Sequence, residues 1–113
     1  MNCNCNCNIT INEGGQPYIA NTQVVVGTDS VNIALGWRNI KPIGYFTVRM
    51  ENAIPSDATA TLPVTLTLNG VTRSLTLPNG AAATVADLLA TNVFQVFNDR
   101  FNGILALMSR TIV

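Results

Sequence analysis

The chain has 113 residues, 48% of them hydrophobic, and its six basic and six acidic side chains cancel to zero net charge. That length suits a single domain with a core of its own, and the apolar content excludes a disordered chain. Five scattered arginines and Lys41 make no basic patch for nucleic acid, and no run of about 18 apolar residues offers a membrane span.

The first stretch, "MNCNCNCNITI", alternates Cys3, Cys5 and Cys7 with asparagines. Extended residues two apart sit about 6.7 Å apart on one face. Disulfide partners need Cβ atoms about 3.8 Å apart, so these cysteines do not pair locally while extended. A flexible Cys-x-Cys-x-Cys run suits a soft metal, but three thiolates lack a fourth ligand and the chain has no histidine. The leading expectation is a reduced, inert or packed arm over residues 1–8. Contact between chains and metal binding remain the alternatives. Residues 9–113 then form one β-domain. No basic segment followed by an apolar run opens the chain, so no secretory leader is expected. The Asn8-Ile9-Thr10 triplet matches a glycosylation acceptor, by coincidence in so Asn- and Thr-rich a chain.

Asparagine and threonine make up about a quarter of the residues. Threonine and valine favour strands and asparagine and glycine favour turns, which is an all-β composition with an uncharged polar surface. Such a surface resists association poorly and leans towards an assembly component. Thr22–Val26 and Ser30–Leu35 read as strands around "GTDS", with Val31, Ile33 and Leu35 on one face. Tyr45–Glu51 is a third, placing Phe46, Val48 and Met50 on one side. "ENAIPSDATATLP" reads as an exposed loop.

The clearest signal is "LPVTLTLNGVTRSLTL" at 62–77. Asn69-Gly70 fits a two-residue type I′ turn between alternating strands. Folding there pairs Leu68 with Val71, Leu66 with Arg73, Val64 with Leu75 and Leu62 with Leu77. That face is aliphatic apart from Arg73. The other face pairs Thr67 with Thr72 and Thr65 with Ser74, a hydroxyl ladder. Thr84 and Asp87 resemble a capping box for about two helical turns near 85–91, with Val85, Leu88 and Leu89 on one side and Asn92 ending it. A second hairpin spans 92–108, with "NDRFNG" as its loop in preference to a tight Asn102-Gly103 turn. Both faces of Val93–Phe97 and Ile104–Met108 are apolar, so these strands are central or meet another chain. The fold expected is an all-β sandwich or barrel-like single domain with one short helix.

Catalytic readings are weak. The common general base, histidine, is missing, and Glu13, Asp29, Glu51, Asp57, Asp87 and Asp99 are scattered through turns and strand ends. No catalytic, metal or cofactor site is expected. The glycines of "NEGGQP" lack the strand-to-helix context of a phosphate loop. Trp37, Tyr18 and Tyr45 suit stacking on a sugar ring, with core packing as the plainer reading. Phe94, Phe97 and Phe101 read as core or interface.

Residues 44–108, from "GYFTVRMENAIPSDATATLPVTLTLNGVTRSLTLPNG" through "ATVADLLATNVFQVFNDRFNGILAL", resemble small structural proteins of tailed-phage virions, of the capsid auxiliary, decoration or head-fibre type. The resemblance implies a cofactor-free module made in the bacterial cytoplasm. It would sit on the capsid surface and bind the major capsid protein or other virion proteins and its own copies. The binding surface it implies takes in the hairpin at 93–108 and part of Ala58–Ala86. A carbohydrate- or receptor-binding fibre module is the alternative.

Overall fold

The computed structural model describes residues 18–89 and 91–112. The Cys3/Cys5/Cys7 arm, the Asn8 triplet and Glu13 lie outside them. Seven strands are described: β1 (Ile19–Val26), β2 (Val31–Leu35), β3 (Ile43–Arg49), β4 (Val64–Leu68), β5 (Val71–Ser74), β6 (Thr91–Asp99) and β7 (Ile104–Ile112). One helix, α1 (Val85–Leu88), precedes β6. They form one sheet in the order β5-β4-β2-β1-β3-β6-β7, nearly closed into a barrel. Two hydrogen bonds close the seam: Thr76 N–H donates to Leu105 O at 2.8 Å, and Leu107 N–H donates to Thr76 O at 2.7 Å. Closure removes the free edges that a sheet otherwise exposes to pairing.

Alternation decides what the barrel encloses. Val31, Ile33 and Leu35 of β2, Val64 and Leu66 of β4, and Phe94 and Val96 of β6 all turn inward and are buried. Each contributes roughly 1.5–3 kcal/mol of apolar burial. The β4–β5 hairpin has the expected register from Leu68↔Val71 to Thr65↔Ser74. Asn69 and Gly70 both take positive φ, 55° and 82°, as its turn requires.

Beyond Ser74 the arms part, so the expected Leu62–Leu77 rung does not form. Pro78-Asn79-Gly80 reverses the chain, with Gly80 N–H on Leu77 O at 2.9 Å. This wedges residues 81–84 between the arms. Pro63 then faces Thr84 and Thr76 faces Ala82, leaving the other edge of Thr76 for β7.

The helix is one turn, shorter than the two expected. Leu89 is already extended at φ −60°, ψ 138°, and Asn92 belongs to β6. The Asp87 carboxylate does reach back to Thr84 N–H at 2.8 Å. Val85 and Leu88 pack beneath one end of the barrel with Ile54. Ile54 therefore anchors the loop that the sequence reads as wholly exposed. The second hairpin pairs Asp99 with Ile104, giving a four-residue loop that lies between the tight and loose readings.

Candidate functional site

The helix plugs the barrel end formed by the starts of β2, β4 and β6. The opposite end, ringed by Leu68, Val71, Ile43, Asp99 and Ile104, is the mouth. Chain segment 36–42 runs beside it. It is tied to the hairpin tip by Arg38 N–H on Asn69 Oδ1 (2.9 Å) and Asn69 Nδ2 on Arg38 O (2.7 Å).

The outer wall has two characters. Over β2, β4 and β5 it is an amide and hydroxyl lattice. Asn32 Nδ2 donates to Thr65 and Thr67 Oγ1, both at 2.9 Å, and the Thr67 and Thr72 hydroxyls lie 2.7 Å apart. Over β3, β6 and β7, near the mouth, it is apolar. Tyr45 faces Phe97 across the ladder with ring centroids 5.3 Å apart, and Phe97 faces Ala106 on the next strand. Ile43 and Ile104 flank this rung on either side of Asp99 and are both exposed. Phe101 stands at the loop tip, 75% exposed. Both faces of the closing hairpin are thus apolar, as the sequence indicates. Phe94 and Val96 fill the core, while Phe97 and Ile104 face outward.

The structure overturns the plainer reading of two aromatics. Trp37 is 75% exposed and Tyr45 62% exposed, so neither is core. Tyr18 and Tyr45 line an open groove of about 620 Å³ together with Arg38, Asn39, Lys41 and Thr47. Trp37 stands outside that lining. The Tyr18 ring is covered by the Arg49 guanidinium at 5.5 Å.

Among the described residues the acids do not converge. Asp87 caps α1, Asp99 receives the Phe101 and Asn102 amides of its turn, and Glu51 lies 4.0 Å from Arg49. Asp29 and Asp57 are exposed in turns. Among the described residues, no three His, Cys, Asp or Glu side chains gather as a metal site.

One polar pair is not legible in the sequence. Arg73, on the inward face of β5, reaches Asn98 of β6, and Nη2 donates to its Oδ1. Asn98 is 2% exposed and donates to Lys41 O at 2.9 Å. Arg73 Nη1 is buried without a partner. Desolvation, and then the nearby Arg100 charge, lower the Arg73 pKa. The signal available was a lone arginine on an otherwise aliphatic strand face.

No protein-family model matches the chain, and no curated protein or solved structure is significantly similar to it.

Proposed function

We propose that this chain is a structural protein of a tailed-phage virion. In this reading it is a capsid auxiliary or decoration module that binds the major capsid protein and its own copies through the apolar outer wall at the barrel mouth. The observation that carries the reading is the apolar outer rung on a protein of zero net charge, where Ile43, Tyr45 and Ile104 are exposed and Phe97 is half-buried beside them. Contiguous exposed apolar surface marks interaction sites, and aromatic anchors dominate interface energetics. The resemblance of residues 44–108 to virion proteins supplies the kind of partner. Manufacture in the bacterial cytoplasm and residence on the capsid surface belong to the same proposal.

Co-sedimentation tests it. Wild-type chain pellets with assembled shells of a tailed-phage major capsid protein, and a Tyr45→Asp chain stays in solution. Equal pelleting of both removes the apolar wall as the contact. Pelleting of neither removes the capsid role.

A second reading, a carbohydrate-binding fibre module, is favoured by the groove that gathers Tyr18, Tyr45, Asn39 and Arg38. Glycan titration should then quench Trp37 fluorescence only weakly, because Trp37 is outside the groove lining, while Tyr45→Ala abolishes binding.

A further inference from the structure

The barrel mouth contains a second, smaller feature that the assembly surface does not use. A cavity of about 150 Å³ opens there, walled by Ile40, Phe46, Leu66, Leu68 and Leu105, with Arg73, Asn98 and Arg100 at its polar side. Mouths of β-barrels are favoured places for small ligands. The volume matches a cavity that holds one six-membered ring, about 150 Å³ in a well-studied apolar case.

The polar side is unusual. Arg73 is neighboured by a second cation, Arg100, and by the neutral Asn98, and its Nη1 has no acceptor. The Asp99 carboxylate, next in sequence to Asn98, is taken by the Phe101 and Asn102 amides and by Asn102 Nδ2 at 2.7 Å. Among the described residues the ion pair is Arg49–Glu51, so neither mouth arginine has a carboxylate partner. Burying part of a cation beside another cation is costly. A guanidinium fork matches one chemistry above others, the two oxygens of a carboxylate.

We propose that the mouth cavity binds a small monocarboxylate with a compact apolar body, its oxygens held by Arg73 and Arg100 and its body against Phe46, Leu66 and Leu105. Asn98 is a positioning residue. It accepts from Arg73 and is fixed through its own amide to the carbonyls of Lys41 and Pro42, which holds the guanidinium in place at the cavity wall. The site is distinct from the outer wall, so occupancy does not require assembly.

Benzoate is the probe, titrated into the full chain and followed by amide and arginine side-chain NMR shifts. Saturable shifts at Leu66, Leu105 and the Arg73 side chain are expected. Benzamide, which has the same ring without the charge, should bind at least about tenfold more weakly. Arg73→Met should remove benzoate binding while preserving the spectrum of the rest of the barrel. Arg100→Gln should weaken it. If Arg73→Met does not fold, the benzoate-to-benzamide ratio on the native chain decides alone. Equal affinity for the two probes, benzoate shifts confined to the outer wall, inorganic phosphate binding as tightly as benzoate, or no saturable shift would each overturn the proposal.

Discussion

Asn21 and Asn52 hold each other reciprocally: Asn21 Nδ2 donates to Asn52 O at 2.7 Å, and Asn52 Nδ2 donates back to Asn21 O at 3.0 Å. Asn21 Oδ1 also accepts the Glu51 and Asn52 amides at 2.7 and 2.9 Å. Here β1 and β3 run parallel, and among the described residues they share only the pairs Ile19↔Val48 and Ala20↔Arg49. A bulge follows at once between Asn21 and Gln23. The clasp therefore supplements a short ladder, the briefest pairing between two neighbouring strands of the sheet.

Replacing Asn21, which is 2% exposed, removes three hydrogen bonds to the Glu51 and Asn52 backbone. Asn21→Ala should destabilise the domain by about 2–3 kcal/mol. A urea midpoint within error of wild type would show that the β1–β3 join does not depend on this side chain.

Asn69 combines two roles that substitutions can separate. Its φ of 55° favours Asn or Gly, and its side chain ties the hairpin tip to Arg38. Asn69→Gly keeps the turn and loses the tie, costing about 1 kcal/mol or less. Asn69→Ala loses both and should cost about 1–2 kcal/mol more. Denaturation midpoints in the order wild type, Gly, Ala check this, and a reversed order of the two variants contradicts it.

Arg73 opposes the usual expectation for a hydrogen-bonded arginine. Because desolvation and Arg100 depress its pKa, the native state binds its proton less well than the unfolded chain does. Stability from this group therefore rises with pH only in the alkaline range, and at neutral pH the partly desolvated charge is a cost. Arg73→Met, with an apolar stem in an apolar wall, should melt no lower than wild type at pH 7. A clear drop in midpoint would mean that the Arg73–Asn98 bond outweighs the desolvation.

Much of this fold is legible in the sequence because its signals are local. Asn69-Gly70 states its own turn, and Val31-x-Ile33-x-Leu35 states its own buried face. Thr84 and Asp87 state the start of a helix. Barrel closure is not local. The single residue Thr76, held between Ala82 and Ala106, closes the seam, and nothing in its neighbours indicates β7 as its partner. The parallel pairings β1–β3 and β2–β4 are long-range in the same way. The site divides similarly. The two apolar faces at 93–108 are visible as a pattern, but period-two alternation cannot say which face turns to solvent. Trp37 follows a strand in an irregular segment, where no periodicity predicts its exposure. Arg73 was visible as an exception, and only the fold shows Arg100 and Asn98 beside it.

The outer wall makes a sharper demand on Tyr45 and Phe101 than on Phe97. Phe97 is half-buried over Ala106, so an aspartate there disturbs the sheet as well as the surface. Phe101→Asp and Tyr45→Asp act on exposed side chains and should leave stability within about 0.5 kcal/mol of wild type. Circular dichroism melts of both variants check that they remain folded.

The decisive measurement is the solution mass of the full chain by light scattering, wild type against Tyr45→Asp, with and without reductant. The account predicts a discrete wild-type oligomer that persists in reductant and falls to monomer with Tyr45→Asp. A wild-type monomer at all concentrations, or an oligomer that ignores Tyr45→Asp and collapses on reduction, would contradict self-assembly through the apolar wall, and the second result would assign the contact to the cysteine arm.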